Sequence, residues 1–293
     1  MAGAQRDCWS EWLLNRRFGG DAGQMQRTLE YLRPIRETIL LHAALGEGET
    51  LLDVGCGDGF IGFGALEQSQ TSPVIFTDIS QDLLNATHTI AEQMAVLDRC
   101  EFIQTPAESL AAIREESVDA VSTRSVLIYV AAKQQAFNGF HSVLRTGGRL
   151  SIFEPINRFG YPEPPGTFAG FDARAIMEIA EKVKAVKLKA QPPDEDPMFN
   201  FDERDLIEFA ARAGFREINL ELRIEVKPEN LGMEWETWIN VAPNPKMSTL
   251  EEAMREALSP DERDSFIGYF RPLVKGKQPM IKRSAVAYLW ARR

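Results

Sequence analysis

The amino-acid sequence predicts an α/β protein with a doubly wound, seven-stranded sheet, mostly parallel, ending in an antiparallel pair and carrying helical lid insertions. Three observations carry this expectation. From Thr50 onward, short apolar runs alternate with helix-periodic stretches, the pattern of parallel βαβ units. The first run, Leu51-Leu52-Asp53-Val54, stops at Gly55-Cys56-Gly57-Asp58-Gly59, a turn with little side-chain bulk that opens the next helix. Near the C-terminus, Ile218, Leu220, Leu222, Ile224 and Val226 alternate strictly with polar residues, as in a half-buried strand, and Ser284 to Trp290 offers its antiparallel partner.

Taken in order, residues 1–49 read as a helical arm or lid. Asp21 is placed to cap a helix whose apolar positions Met25, Leu29, Leu32, Ile35, Ile39 and Ala43 keep a near-3.6 period, with Pro34 as a kink point. Ahead of it stand Trp9, Trp12, Leu13 and Arg16-Arg17-Phe18. They read either as an arm packed by its tryptophans or as a lid folding over a bound ligand, with an arginine meeting a carboxylate. The core covers 50–226, with strands expected at 50–54, 74–78, 101–104, 118–123 and 149–154 and helices near 60–67, 81–96 and 131–145. Residues 155–200, rich in Pro, Phe and Gly before an amphipathic stretch, form a substrate-side insertion within it. A helix over 203–213 closes at Gly214. A second helical insertion, 227–283, carries two capping-box starts, Ser248 with Glu251 and Ser259-Pro260 with Glu262. Residues 284–293 return as the last strand of the core.

A chain of 293 residues can bury one large core with a substantial insertion. Its 43 Asp and Glu against 33 Lys and Arg give a net charge of −10, which argues against a nucleic-acid surface. The start lacks the apolar core of a signal peptide and no stretch is long enough to span a bilayer, so no membrane role is expected. Cys8, Cys56 and Cys100 are scattered and odd in number, which implies no disulfide framework and makes a reducing cytoplasm the default.

Asp78 ends the second apolar run, where an acid can accept hydrogen bonds from a ribose, so a nucleoside-containing cofactor is indicated. In the dinucleotide fingerprint G-x-G-x-x-G the third glycine comes one residue later than Gly59, at the position of Phe60 here, which weakens an NAD(P)-dependent oxidoreductase reading. The run Asp53-Val54-Gly55-Cys56-Gly57-Asp58-Gly59 instead resembles the first motif of class I S-adenosylmethionine methyltransferases. The resemblance continues through Asp78, Ala107-Glu108 and Leu144-Arg145-Thr146-Gly147-Gly148, covering roughly residues 35–155 in order. It implies a Rossmann-like core, S-adenosyl-L-methionine as cofactor and S-adenosyl-L-homocysteine as product. It further implies that Gly55, Cys56, Gly57, Asp58 and Gly59 let the backbone approach the amino-acid part of the cofactor, whose ammonium Asp53 helps to orient. Asp78 would take the ribose, Ile79 would stack on adenine, Ala107 and Glu108 would sit by its amino group, and the backbone of Arg124 and Ser125 would line the methionine end.

Methyl transfer is an in-line displacement, so the protein chiefly aligns and desolvates. Glu154, at the tip of the fifth strand, and Tyr129, after the fourth, are the candidate catalytic groups, Glu154 being equally readable as a structural carboxylate. His42, His88 and His141 fall on helices and read as face residues. Tyr161, Phe168, Trp235 and Trp238 are expected to wall an apolar pocket for a small organic acceptor. Arsenite methylation needs several thiolates, and no cysteine follows Cys100; no metal site is expected. A catalytically silent cofactor-binding module remains the alternative from another functional class.

Overall fold

The computed structural model describes residues 6–293. In chain order the elements are α1 (Cys8–Glu11), α2 (Ala22–Ala43), β1 (Leu51–Val54), α3 (Phe60–Gln68), β2 (Val74–Asp78), α4 (Gln81–Gln93), β3 (Cys100–Gln104), β4 (Val118–Arg124), α5 (Lys133–Val143), β5 (Leu144–Pro155), β6 (Thr167–Phe168), β7 (Phe171–Asp172), α6 (Met177–Ala190), α7 (Glu203–Ala213), β8 (Arg216–Glu229), α8 (Trp235–Asn240), α9 (Leu250–Ala257), α10 (Pro260–Lys275) and β9 (Met280–Arg292). The strands form one sheet in the order β3-β2-β1-β4-β5-β9-β8, apart from the separate β6-β7 hairpin. β1 to β5 run parallel, with Leu51 opposite both Val74 and Ala120, while β9 is antiparallel to β5 and to β8.

Both faces of the sheet are covered, as a parallel sheet of continuous apolar strands requires. One side packs Leu52, Val121 and Ile152 on Phe137 and Phe140 of α5 and Leu206 of α7. The other packs Leu51, Phe76 and Ala120 on Ile35 and Ile39 of α2 and Phe63 of α3. Asp21 caps α2 by accepting from the Gln24 N–H, and the helix runs through Pro34. The strand reversal between β1 and β4 leaves a crevice at the carboxyl ends of the strands, the place where ligands bind in such sheets.

The two insertions form one packing unit rather than two. Phe168 and Phe171 of the hairpin, Ala180 and Val183 of α6, Trp235 of α8, Met254 of α9 and Phe266 and Phe270 of α10 share a third apolar core. Two expectations need correction. α9 is capped one residue later than Ser248, by Thr249 paired with Glu252, because that register turns Leu250, Ala253 and Met254 inward. The alternation of β8 is present, but only its first half is covered: Leu220 and Leu222 lie against the α7 side, while Ile224 and Val226 are each 51% exposed.

Candidate active site

The crevice opens into a cavity of about 450 Å³, within the ~300–1,000 Å³ of small-molecule sites. Its floor is the turn after β1. Gly55 and Gly57 have φ of +65° and +57°, and a Cβ on Gly55 would come 2.4 Å from Val126 Cγ2, so only glycine fits there. The Cys56 N–H donates to the Thr77 carbonyl, which locks the turn to β2. Asp78, at the tip of β2, accepts from the Gly57 N–H through Oδ2 and from the Ser80 N–H through Oδ1, each at 2.9 Å. Burial raises its carboxyl above the usual range, against those hydrogen bonds. Ile79 is 54% exposed and presents an apolar surface to the cavity beside Ala107 and Glu108. Arg124 and Ser125 line the cavity from the end of β4, and the Ser125 N–H is held by the Phe153 carbonyl.

Four expected residues lie behind this wall rather than in it. Asp53 is buried and accepts from the Gly62 N–H at 2.9 Å, in the first turn of α3, where a carboxylate suits the free N–H groups. Burial pushes its carboxyl up to about 7. Its expected contact with a ligand ammonium gives way to this support of the helix. Gly59 caps α3 with φ +76°, and a Cβ there would meet Phe63 and Thr87. Asp58, in the same turn, also stays off the cavity wall. Glu154, the first candidate catalyst, is fully buried: Oε1 accepts from the Val126 and Leu127 N–H groups at 2.9 and 3.0 Å and Oε2 from the Ile128 N–H at 3.3 Å. It braces the turn that carries Tyr129 and does not reach the cavity, which favours the structural reading. Tyr129 does line the cavity, and burial raises its phenol, so it stays protonated at neutral pH.

The roof is the N-terminal arm. Asp7 caps α1 by accepting from the Trp9 and Ser10 N–H groups and also accepts from the Ser80 hydroxyl at 2.6 Å. At the other end the Trp12 indole N–H donates to the Ala242 carbonyl at 2.9 Å, and Arg16 pairs with Glu252 of α9 at 2.6 Å. The arm therefore straps the start of α4 to the insertion unit, with Trp9, Trp12, Leu13 and Arg17 facing the cavity. Trp9 meets Tyr129 edge-on at 4.9 Å. Arg17 has no carboxylate within 4.0 Å among the described residues and lies over the Trp12 ring at 5.5 Å.

The aromatic wall is corrected. Phe168, Trp235 and Trp238 belong to the third core, and Tyr161 packs at a tilt against Phe199; none lines the cavity. Its far wall is instead Asn157, Met198 and Val241-Ala242-Pro243, which sequence reasoning missed. Only Asn157 carried a signal, its place just past the tip of β5. The three histidines lie elsewhere: His42 stacks on Trp290, His88 sits beside Glu92 and His141 packs on Phe215. Lys133 was also missed; it is buried, and its ammonium donates to the carbonyls of Val130 and Pro197 and to Asn200 Oδ1. Cys8, Cys56 and Cys100 are free, and no cluster of three or more potential metal ligands occurs among the described residues. None of the described helices is long and apolar enough to cross a membrane.

A family profile described as a methyltransferase domain matches residues 45–191. The chain is 29% identical over 185 residues to an arsenite methyltransferase of Halobacterium salinarum, across 58% of this chain and 46% of that protein. It is 32% identical over 102 residues to a tRNA 5-carboxymethoxyuridine methyltransferase of Escherichia coli K12, across 35% and 38% of the two chains. The chain thus spans less than half the length of these two relatives. Among solved structures, a geranyl diphosphate C-methyltransferase from Streptomyces coelicolor A3(2) shares the fold, with a TM-score of 0.53 and 14% identity over 95% of this chain and 88% of that one.

Proposed function

The chain belongs to the methyltransferase-domain family, and on that premise we propose that it is an S-adenosylmethionine-dependent methyltransferase acting on a small organic acceptor. One observation carries the cofactor assignment: a glycine floor that a Cβ would fill, next to a carboxylate at the tip of β2 that the backbone holds in place. Asp78 would accept the ribose hydroxyls with its remaining lone pairs, and Ile79 would lie against the adenine face. Ala107 and Glu108 would border its amino group. Gly55, Cys56, Gly57, Arg124 and Ser125 would enclose the methionine end.

When bound, S-adenosylmethionine supplies a methyl group on a sulfonium, transferable in line to a nucleophile. The chain supplies alignment and exclusion of water. Gly55 and Gly57 fix one end of the cavity, and Asp78 fixes its side. Trp9, Trp12 and Leu13 cover it from solvent. Tyr129, protonated and half-buried, positions a partner by donating a hydrogen bond. A small acceptor fits the net charge of −10 better than a nucleic acid does. Three free, separated cysteines fit a reducing cytoplasm.

Calorimetric titration with S-adenosylmethionine, S-adenosylhomocysteine and NADH tests the reading. The first two are expected to bind and NADH is not. Asp78→Ala removes the ribose acceptor and orphans two N–H donors, so affinity should fall about 30-fold or more. A folded wild-type protein that binds neither adenosyl compound would overturn the assignment.

A further inference from the structure

We propose that the acceptor is a small organic oxyanion, already ionised when it binds, and that Arg17 holds it; the proposal rests on the S-adenosylmethionine reading above. Arg17 and Arg124 both line the cavity, and among the described residues neither has a carboxylate within 4.0 Å. Two unpaired guanidinium groups are a surplus in a site whose methyl donor is itself a cation. The methionine carboxylate neutralises one of them. Arg124 stands at the tip of β4, alongside the Gly55 turn, and takes that part. Arg17 comes from the arm instead, with its guanidinium over the Trp12 ring and its charge felt by Tyr129. Burial and the neighbouring Arg124 pull it down to about 10, with Asp58 acting in the opposite direction, so it remains a cation at neutral pH with no carboxylate in contact among the described residues.

Other polar groups of the cavity point the same way. The Tyr129 phenol is a donor. Asn157 Nδ2 is buried without an acceptor, and Asn157 lines the same cavity. A guanidinium, a phenol and an amide N–H together form a donor set suited to an oxyanion. The walls beside them, Trp12, Met198 and Val241-Ala242-Pro243, suit an apolar carrier. Among the described residues the carboxylates that line the cavity are Asp78, held by two backbone N–H groups, and Glu108, both on the side assigned to the nucleoside. Glu154 is occupied by three backbone N–H groups, the histidines lie elsewhere, and burial holds the Cys56 thiol protonated. A neutral alcohol or phenol would have nowhere to leave its proton.

For an oxyanion the step balances without proton transfer. A lone pair of the acceptor oxygen forms the O–CH3 bond while the C–S bond breaks, and the electron pair stays on sulfur as a neutral thioether. The product is a neutral methyl ester or enol ether, which no longer pairs with Arg17 and is free to leave.

The test uses the full chain in two stages. S-adenosylhomocysteine is titrated first; failure here would overturn the cofactor reading. The loaded protein is then titrated with benzoate, the enolate of 1,3-cyclohexanedione, benzamide and benzylammonium. At least one anion is expected to bind, with benzamide and benzylammonium about tenfold weaker or more, and the stronger anion identifies the carboxylate or the enolate class. Arg17→Gln should weaken that anion by about tenfold or more and leave S-adenosylhomocysteine within about threefold, whereas Arg124→Gln should weaken S-adenosylhomocysteine. Equal binding of benzamide, no binding of either anion, or a loss in Arg17→Gln confined to S-adenosylhomocysteine would overturn the proposal.

Discussion

Glu154→Gln distinguishes a bracing carboxylate from a catalytic one. The side chain is fully buried and accepts three backbone hydrogen bonds, two on Oε1 and one on Oε2. Burial, the largest influence, raises its carboxyl from 4.5 to about 7, against those bonds and the nearby Lys133 charge. A carboxyl with a folded value above its unfolded one stabilises fully below the unfolded value and loses that contribution as pH rises through the folded value. At about 1.4 kcal/mol per pH unit, the loss between 4.5 and 7 comes to about 3 kcal/mol. Glutamine keeps one carbonyl oxygen for Val126 and Leu127 but turns an amide N–H toward that of Ile128, which costs about 1–3 kcal/mol. The neutral acid avoids this conflict because its hydroxyl oxygen still accepts. Urea unfolding should therefore find the variant less stable than wild type by about 1–3 kcal/mol at pH 5, with the gap closing or reversing by pH 8. Affinity for S-adenosylhomocysteine should stay within about threefold. A stability gap that ignores pH would refute the titration argument. Turnover lost a thousandfold or more in a variant of normal stability would restore a catalytic role.

Three further outcomes are expected. Gly55→Ala places a Cβ against Val126 at a φ of +65°, and should cost about 1–3 kcal/mol in urea unfolding together with most of the S-adenosylhomocysteine affinity. Adding Val126→Ala should recover only part, and full recovery would show that φ carries no strain. Trp12→Phe keeps an aromatic roof but removes the indole hydrogen bond to Ala242; at about 1 kcal/mol, S-adenosylhomocysteine should dissociate about fivefold faster in stopped flow, and an unchanged rate would detach that bond from closure. Lys133→Met removes hydrogen bonds to the carbonyls of buried Val130 and half-buried Pro197 and to the exposed Asn200 and should lower stability by about 1–3 kcal/mol, whereas an unchanged urea midpoint would show that the segment at Pro197 to Asn200 needs no tether.

The core strands and the cavity floor were legible because their signals are local. The run from Leu51 to Gly59 contains strand, turn and helix start in nine residues, and Asp78 ends its own strand. The roof and far wall were not legible in the same way. Ala242 meets Trp12 across 230 residues of sequence, and its contribution is a backbone carbonyl, which no side-chain pattern announces. The aromatics misled for a physical reason. Phe168, Trp235 and Trp238 could wall a ligand, but α6, α8, α9 and α10 each bury an apolar face, and these rings are what they bury. At α9, Ser248 and Thr249 each have a glutamate three residues on. Spacing alone leaves the two registers equal, and only the burial of Leu250, Ala253 and Met254 separates them.

The arm and the floor are not independent parts. Ser80 donates its hydroxyl to Asp7 of the arm, accepts the Leu83 N–H at the start of α4, and donates its own N–H to Asp78. One residue thus joins the roof, a helix N-terminus and the acid that faces the cavity. Asp82, in the next turn, accepts from the Asp7 N–H and the Ser10 hydroxyl. The arm therefore completes the hydrogen bonding of the segment that fixes Asp78, as well as roofing the cavity. On the proposed reading, the carboxylate that meets the ribose and the roof that excludes water are held by the same residue. Alignment and desolvation, the two contributions that the proposed methyl transfer would ask of the chain, would then be coupled through Ser80.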